Sequence, residues 1–483
     1  MEGRDARRLS LLLLLAAAIY GATLFSPPHL MDDVDAVQAQ IARNMLESGD
    51  WVTARLNGVA YLEKSPLKYW MMACSFAVFG VHDWAARLPV VLSVLALVWL
   101  TAAIGRWAFS PDAGFYAGLV LATCIGLFLF TRILIPDVIL TTAIALALWS
   151  LLRALDESEP RPRLWAAVMA AAMGAGLLLK GLIAIVFPAA AALLFLALTG
   201  RLFSAAAWRR LRPLSGAGII VLIAAPWHIA ATIANPPYFD FSMDSGPGKY
   251  RGFFWFYFFN EHILRFLNRR WPRDYNTVPR HLFWLLHLVW FFPWSLYLAR
   301  LFKFDYRGGD RAAQTRLLFL CLAGFVLIFF SFSTTQEYYS LPAYPAFALL
   351  AGCALAEGSN WIRAAQRITG GAAALAFAAI ALILSQVWRL PAPGDISQAL
   401  RQNPDLYTLS LGHMGDLTLK SFAYLRPPLM LAGIAFLCGA LAGWRWRGAA
   451  TQLGVALMMV LFLNAARVAM ISFDPYLSSQ PLA

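Results

Sequence analysis

The sequence predicts an all-α protein that crosses a membrane many times, and three observations carry that expectation. Hydrophobic residues make up 60% of the 483-residue chain and charged residues only 13%, whereas soluble domains carry roughly 25% charged residues. Mean hydropathy is +0.63. Apolar runs recur from one end to the other, each long enough to cross a hydrocarbon core about 30 Å thick.

These runs read as thirteen helices, near residues 9–28, 88–105, 114–131, 138–154, 164–180, 182–199, 216–234, 282–301, 317–333, 340–357, 368–387, 429–443 and 452–471. The first follows Arg4, Arg7 and Arg8. It reads as a retained helix, because no small-residue cleavage site leads from it into a soluble domain. A net charge of +13 would suggest nucleic acid in a soluble protein, but here the basic residues gather in short loops at 153–163, 201–212, 303–316, 363–367 and 445–447. That is the positive-inside pattern; it sets these loops in the cytoplasm and argues against a nucleic-acid partner. The five cysteines lie in apolar segments without metal-ligand spacing, so neither disulfides nor structural zinc is expected.

The same count places residues 30–87, 235–281 and 388–428 on the outer face. The chain divides accordingly into a main membrane module over 1–387, an outer loop over 388–428 and a C-terminal helix pair within 429–483. Leu67 to Gly80 is apolar but too short to span, so it is placed as a helix lying in the outer interface. The aromatic clusters Phe253 to Phe259 and Trp290 to Trp294 read as interfacial belts.

The chemistry-bearing residues fall on the outer segments. Asp32, Asp33 and Asp35 stand within four positions just after the first helix. Like charges this close repel, which points to a ligand or a catalytic use, although acids also favour the first turn of a helix. Glu63 and Lys64 precede Ser65 and Pro66; a lysine at an outer membrane surface suits a lipid phosphate, or simply snorkels beside a headgroup. Arg132 and Asp137 flank a turn between two helices, where the acid is either functional or a helix cap. Glu261, His262 and Arg265 are followed by Arg269, Arg270, Arg273 and Arg280. Basic residues outside break the positive-inside trend and argue for an anion such as phosphate, while Glu261 and Arg265 also have the spacing of an i,i+4 pair. Tyr339 lies in the segment Gln336 to Pro342, between two helices.

Taken in order, these segments resemble the bacterial glycosyltransferase C superfamily, specifically the relatives of protein O-mannosyltransferases and of the aminoarabinose lipid A transferase, over roughly residues 10–385. The densest stretch runs from Asp32 to Pro89, through Ile41 to Leu46, Gly49-Asp50-Trp51, Glu63-Lys64-Ser65-Pro66 and Ala85-Ala86-Arg87-Leu88-Pro89. Leu179-Lys180-Gly181 and Tyr339 to Pro345 also match. The resemblance implies an inverting glycosyltransferase in the bacterial inner membrane, with its site facing the periplasm. A polyprenyl-phosphate sugar would be donor and membrane lipids would be partners. It makes a first-loop acid catalytic, Asp33 first, then Asp35 or Asp32, the family's Asp-Glu pair being replaced here. Lys64, Arg265 and Tyr339 would hold the donor phosphate, supported by Glu63, Asp137, Glu261, His262 and Arg132. The second residue of the family's Lys-Pro-Pro is Ser65 in this chain.

A lipid-linked donor fits a chain with no Gly-rich nucleotide fingerprint. The acceptor is a lipid A phosphate, another lipid, a glycan or a protein hydroxyl. No cofactor is assigned; a divalent cation, if used, would draw on Glu63, Asp137 or the Asp32 to Asp35 cluster. The alternative from another class is a polytopic transporter or lipid flippase, which calls for broken helices in corresponding halves and charges near the midplane.

Overall fold

Helix formation here follows from apolar length, and the breaks follow from single residues. The computed structural model describes residues 2–31, 33–273, 278–333, 335–396, 399 and 418–478. Helix α1 (Glu2–Ala16) runs on through a π turn and a 3-10 turn to Leu24. Then come α2 (Asp33–Ser48), α3 (Leu67–Phe79), α4 (Asp83–Ala108), α5 (Pro111–Ala122), α6 (Ile125–Phe130), α7 (Asp137–Leu155), α8 (Pro162–Lys180), α9 (Ile183–Leu198), α10 (Ala205–Leu211) and α11 (Pro213–Ala234). A π-helix (Trp255–Leu264) precedes α12 (Arg280–Trp290), α13 (Arg311–Ser331), α14 (Tyr344–Glu357), α15 (Asn360–Val387), α16 (Arg426–Arg445) and α17 (Ala449–Leu477).

Among the described residues ten helical spans are long and apolar enough to cross a membrane, or eleven if the bent pair Arg280–Trp290 and Ser295–Lys303 counts as one. The protein is therefore a multi-pass membrane protein. Each of the thirteen expected runs has a helical counterpart, but not every run is a straight span. The run 114–131 breaks at Thr123 and Cys124: the Thr123 hydroxyl turns back to the Leu119 carbonyl, Cys124 is extended, and the Ile125 N–H donates instead to Phe292 O. The run 182–199 forms a helix of 16 residues, and 282–301 bends by 102°. Hydropathy averages over a window, so it cannot register a bend whose flanks are equally apolar.

Where helices approach closely, small residues permit it. A Cβ on Gly114 of α5 would collide with the backbone of α4 at Ala102 and Arg106. Helix α4 packs on α5 and α7, α7 on α8, and α8 on α11; α15, α16 and α17 form a second group.

Three of the basic loops lie together. Arg311 Nη2 reaches Asp156 at 2.7 Å and Arg210 Nη2 donates to Asp156 O at 2.6 Å, so three of the loops expected in the cytoplasm meet one another. The aromatic expectation is corrected. Phe253, Trp255, Tyr257, Phe291 and Trp294 are buried inside the protein rather than facing an interface, because the π-helix and the bent pair fold back onto the bundle.

The first outer segment is built to present Glu63 and Lys64. Asp50 accepts from the N–H groups of Val52 and Thr53, and Asn57-Gly58, both at positive φ, turn a two-residue hairpin pairing Arg55 with Ala60. Asn-Gly is the preferred dipeptide for that tight turn. Arg87 ties down the chain before this segment by donating to the carbonyls of Leu24, Pro27 and His29. The Ala-Ala-Arg-Leu-Pro motif thus serves the loop's entry. Asp32 lies outside the described residues, as do residues 397, 398 and 400–417 of the expected outer loop 388–428.

Candidate functional site

A cavity of about 120 Å³ opens where the start of α7, the end of α8 and the start of α9 meet the first loop, the π-helix and the segment before α14. Glu63, Lys64, Asp137, Glu261, His262, Arg265 and Tyr339 all line it. Residues expected from four separate segments are therefore brought to one place.

Each reaches the cavity for a local reason. The π-helix winds i→i+5, a geometry often found at functional sites. That winding puts Tyr257, Glu261, His262, Arg265 and Phe266, spaced by about one such turn, on the cavity wall. Arg265 Nη2 donates to the Tyr339 hydroxyl at 3.0 Å while its Nη1 donates to Glu261 Oε2 at 3.3 Å. Arg270 Nη1 lies 2.6 and 2.7 Å from the two Glu261 oxygens. The i,i+4 pair thus exists, and it aims Arg265 at the cavity rather than using it up. Lys64 Nζ is 3.6 Å from Glu63 Oε2 and makes no hydrogen bond among the described residues.

Asp137 opens α7 but does not cap it. Its Oδ1 accepts from Lys180 Nζ at 2.5 Å, and its buried Oδ2 has no hydrogen-bond partner among the described residues. Lys180, the last residue of α8, also lies over the rings of Tyr338 and Tyr339, 5.2 and 5.0 Å from their centroids. The site role of Lys180 was not read from the sequence. A lone cation ending a 19-residue apolar helix on the outer side was the available signal. Lys64 and Arg265 lie close enough to Lys180 and to His262 to act on both electrostatically. Three cations and a phenol therefore converge, with Asp137 and Glu261 neutralising part of the charge.

The His262 ring packs against Gly181, and its Nδ1 faces the Tyr257 carbonyl at 2.6 Å. Desolvation, reinforced by the Lys64 and Arg265 cations, pushes the imidazole down to about 4, so it is neutral at pH 7. Gly181 has φ +71°, and a Cβ there would strike the imidazole. The Leu-Lys-Gly motif therefore needs its glycine for two reasons, conformation and space.

The rest of the lining is largely apolar, with Leu140, Ile183, Phe187, Phe266, Phe329 and Phe330, and the four phenylalanine rings pack on one another. A cavity lined by cations and by packed apolar rings suits an amphipathic anion, and an anionic headgroup on an isoprenoid or acyl chain fits both.

Of the first-loop acids, Asp35 is joined to the Asp137 turn. The backbone of Asp33 begins α2. Asp35 is buried and its Oδ1 accepts from the Leu134 N–H at 2.6 Å, three residues before Asp137. Lys68 donates to Gln38 Oε1 and to the Leu134 carbonyl, and both Asp35 and Asp137 act on its ammonium. Neither Asp35 nor the half-buried Arg132 lines the cavity. Among the described residues no three His, Cys, Asp or Glu groups converge, and Glu63 and Asp137 each already face a lysine; the side chains of Asp32 and Asp33 lie outside what is described.

Residues 63–229 match the family model described as dolichyl-phosphate-mannose-protein mannosyltransferase. The undecaprenyl phosphate-alpha-4-amino-4-deoxy-L-arabinose arabinosyl transferase of Pseudomonas aeruginosa is 29% identical over 396 residues, 78% of this chain and 66% of the relative. A Pseudomonas fluorescens enzyme of the same name is 30% identical over 326 residues, 66% of this chain and 54% of the relative. The chain thus spans about two thirds of the length of the first relative and about half of the second. Crystal structures of ArnT from Cupriavidus metallidurans, apo and bound to undecaprenyl phosphate, superpose with TM-scores of 0.73 and 0.71 at 23% identity. They cover 96% and 95% of this chain, and 76% and 77% of theirs. The chain is thus a multi-pass membrane protein with the fold of these ArnT structures, and it is similar in sequence to the aminoarabinose transferases and to the protein mannosyltransferase family model.

Proposed function

We propose that the protein is an inverting glycosyltransferase that moves a sugar from a polyprenyl-phosphate donor to an acceptor at the periplasmic face of the bacterial inner membrane. One observation carries this reading: Lys64, Lys180, Arg265 and Tyr339 line one cavity together with a cluster of packed phenylalanine rings. The cations bind the phosphate and the apolar rings take the start of the prenyl chain. Undecaprenyl phosphate is the lipid held by the related ArnT crystal structure.

The reaction is a direct displacement. The acceptor oxygen attacks the anomeric carbon, the bond from that carbon to the phosphate oxygen breaks, and the acceptor proton passes to a first-loop carboxylate, Asp33. The charge that develops on the leaving phosphate is held by Lys64, Lys180 and Arg265, with the Tyr339 hydroxyl as a further donor. Glu63, Asp137 and Glu261 keep these cations in place and limit their mutual repulsion. Because Lys180 ends one helix and Asp137 opens another, the cavity's charges sit at helix ends on one face. A transporter would instead gather them near the midplane.

The test is turnover in detergent with a short-chain polyprenyl-phosphate sugar. The relatives' aminoarabinose makes a pentosyl donor the first to assay, and a hexosyl donor the second. Release of polyprenyl phosphate with transfer of the sugar, in inverted configuration, is expected. Binding of the donor without any release, for every acceptor class offered, would overturn the reading.

A further inference from the structure

Lys64 carries its ammonium on a flexible four-carbon stem and has no hydrogen bond of its own among the described residues. What fixes it is the next residue. The Ser65 side chain is buried, its Oγ lies 3.0 Å from the Leu177 carbonyl, and it is in hydrogen-bond contact with the Tyr257 hydroxyl. A carbonyl only accepts, so Ser65 gives its proton to Leu177 and Tyr257 must give its own to Ser65. Burial pushes the Tyr257 phenol up, which keeps that proton in place. The Leu177 carbonyl also receives the Gly181 N–H at 3.1 Å, one residue past Lys180.

Tyr257 itself is rigidly seated, stacked on Phe253 at 5.2 Å and packed with Trp227, Leu62 and Leu178. It stands two turns of the π-helix before Arg265. One hydrogen-bond chain therefore joins the three elements that carry the cations: the first loop with Lys64, the end of α8 with Lys180, and the π-helix with Arg265.

Resting on the donor site assigned above, we propose that the Tyr257–Ser65–Leu177 chain is a positioning device that sets Lys64 at the same phosphate as Lys180 and Arg265. Ser65 and Tyr257 are positioning residues and act through Lys64. The Ser65 hydroxyl does by hydrogen bonding what a ring at that position does by fixing φ. The Ser65 backbone N–H makes no hydrogen bond among the described residues, so a ring there would break none.

The experiment measures binding of a short-chain polyprenyl phosphate to the full chain in detergent, with the matching polyprenyl alcohol as control. Ser65→Ala and Tyr257→Phe should each raise the Kd for the phosphate about tenfold and leave that for the alcohol unchanged. The double variant should be no weaker than either single one, because both break one chain. Ser65→Pro should recover most of the affinity that Ser65→Ala loses. In a Lys64→Ala background Ser65→Ala should have no further effect. An unchanged Kd in Tyr257→Phe, which keeps the ring's packing, would overturn the proposal, as would a Ser65→Ala effect that persists without Lys64. If the wild-type chain binds phosphate and alcohol equally, the donor site itself is wrong, a result separate from either of these.

Discussion

Arg265 and Tyr339, 74 residues apart in the chain, meet through a 3.0 Å hydrogen bond from guanidinium to phenol at the edge of the cavity. Both are placed at one phosphate, so their effects should not be independent. Arg265→Ala should weaken donor use about tenfold to a hundredfold, the range of a charge-assisted contact. Tyr339→Phe should cost less. Donor-dependence kinetics on both singles and the double should show coupling of about 0.5 to 3 kcal/mol. Strictly additive effects would separate Arg265 and Tyr339 into different sites.

The first-loop acids can be told apart by stability and turnover. Asp35 is buried and accepts the Leu134 N–H, so Asp35→Ala, which removes the acceptor, should lower stability by about 1 to 3 kcal/mol, as for a buried donor left unpaired. Asp33→Asn should instead lower turnover about 100-fold, the scale of lost general-base catalysis, with protein level and thermal midpoint unchanged. Thermal unfolding and turnover on the same preparations decide it. Full stability with lost turnover in Asp35→Ala would move the base to that position.

Lys180 is mostly enclosed, and Asp137 is its counter-charge at 2.5 Å. Removing one partner of such a pair leaves an uncompensated ion at a cost of about 3 to 5 kcal/mol. Asp137→Asn should therefore sharply lower the thermal midpoint. Asp137→Asn combined with Lys180→Met should restore it while leaving donor affinity impaired. A double variant with wild-type affinity would remove Lys180 from the phosphate site.

His262 has its imidazole pushed down to about 4 in the folded protein, below the ordinary value of about 6.5. The unfolded chain then binds more protons between those values, so stability rises with pH across that window. The contribution is complete above about pH 6.5 and is lost as pH falls towards 4. Thermal midpoints from pH 4 to 7 should show this slope, and His262→Gln should flatten it. An unchanged slope in the variant would assign the dependence to other groups.

Membership in the multi-helix membrane class was determined by the sequence itself, because apolar length is a local property and thirteen runs recur without a soluble interval. The candidate phosphate ligands Lys64, Arg265 and Tyr339 were legible for the converse reason. A charge or motif stands out against an apolar background, and here it falls in loops that the arginine distribution assigns to one face. What only the tertiary structure decided is who pairs with whom. Asp137 read equally well as a helix cap until Lys180, 43 residues away, was found at its oxygen. Ser65 read as a departure from a motif until Tyr257, 192 residues on, was found at its hydroxyl. The same holds for the aromatic run at 253–259, which has the composition of an interfacial belt but is partly buried against α11 and the first loop. Periodicity and hydropathy describe a residue's neighbours along the chain, whereas the charge partners and burial that set its chemistry come from segments brought together by packing.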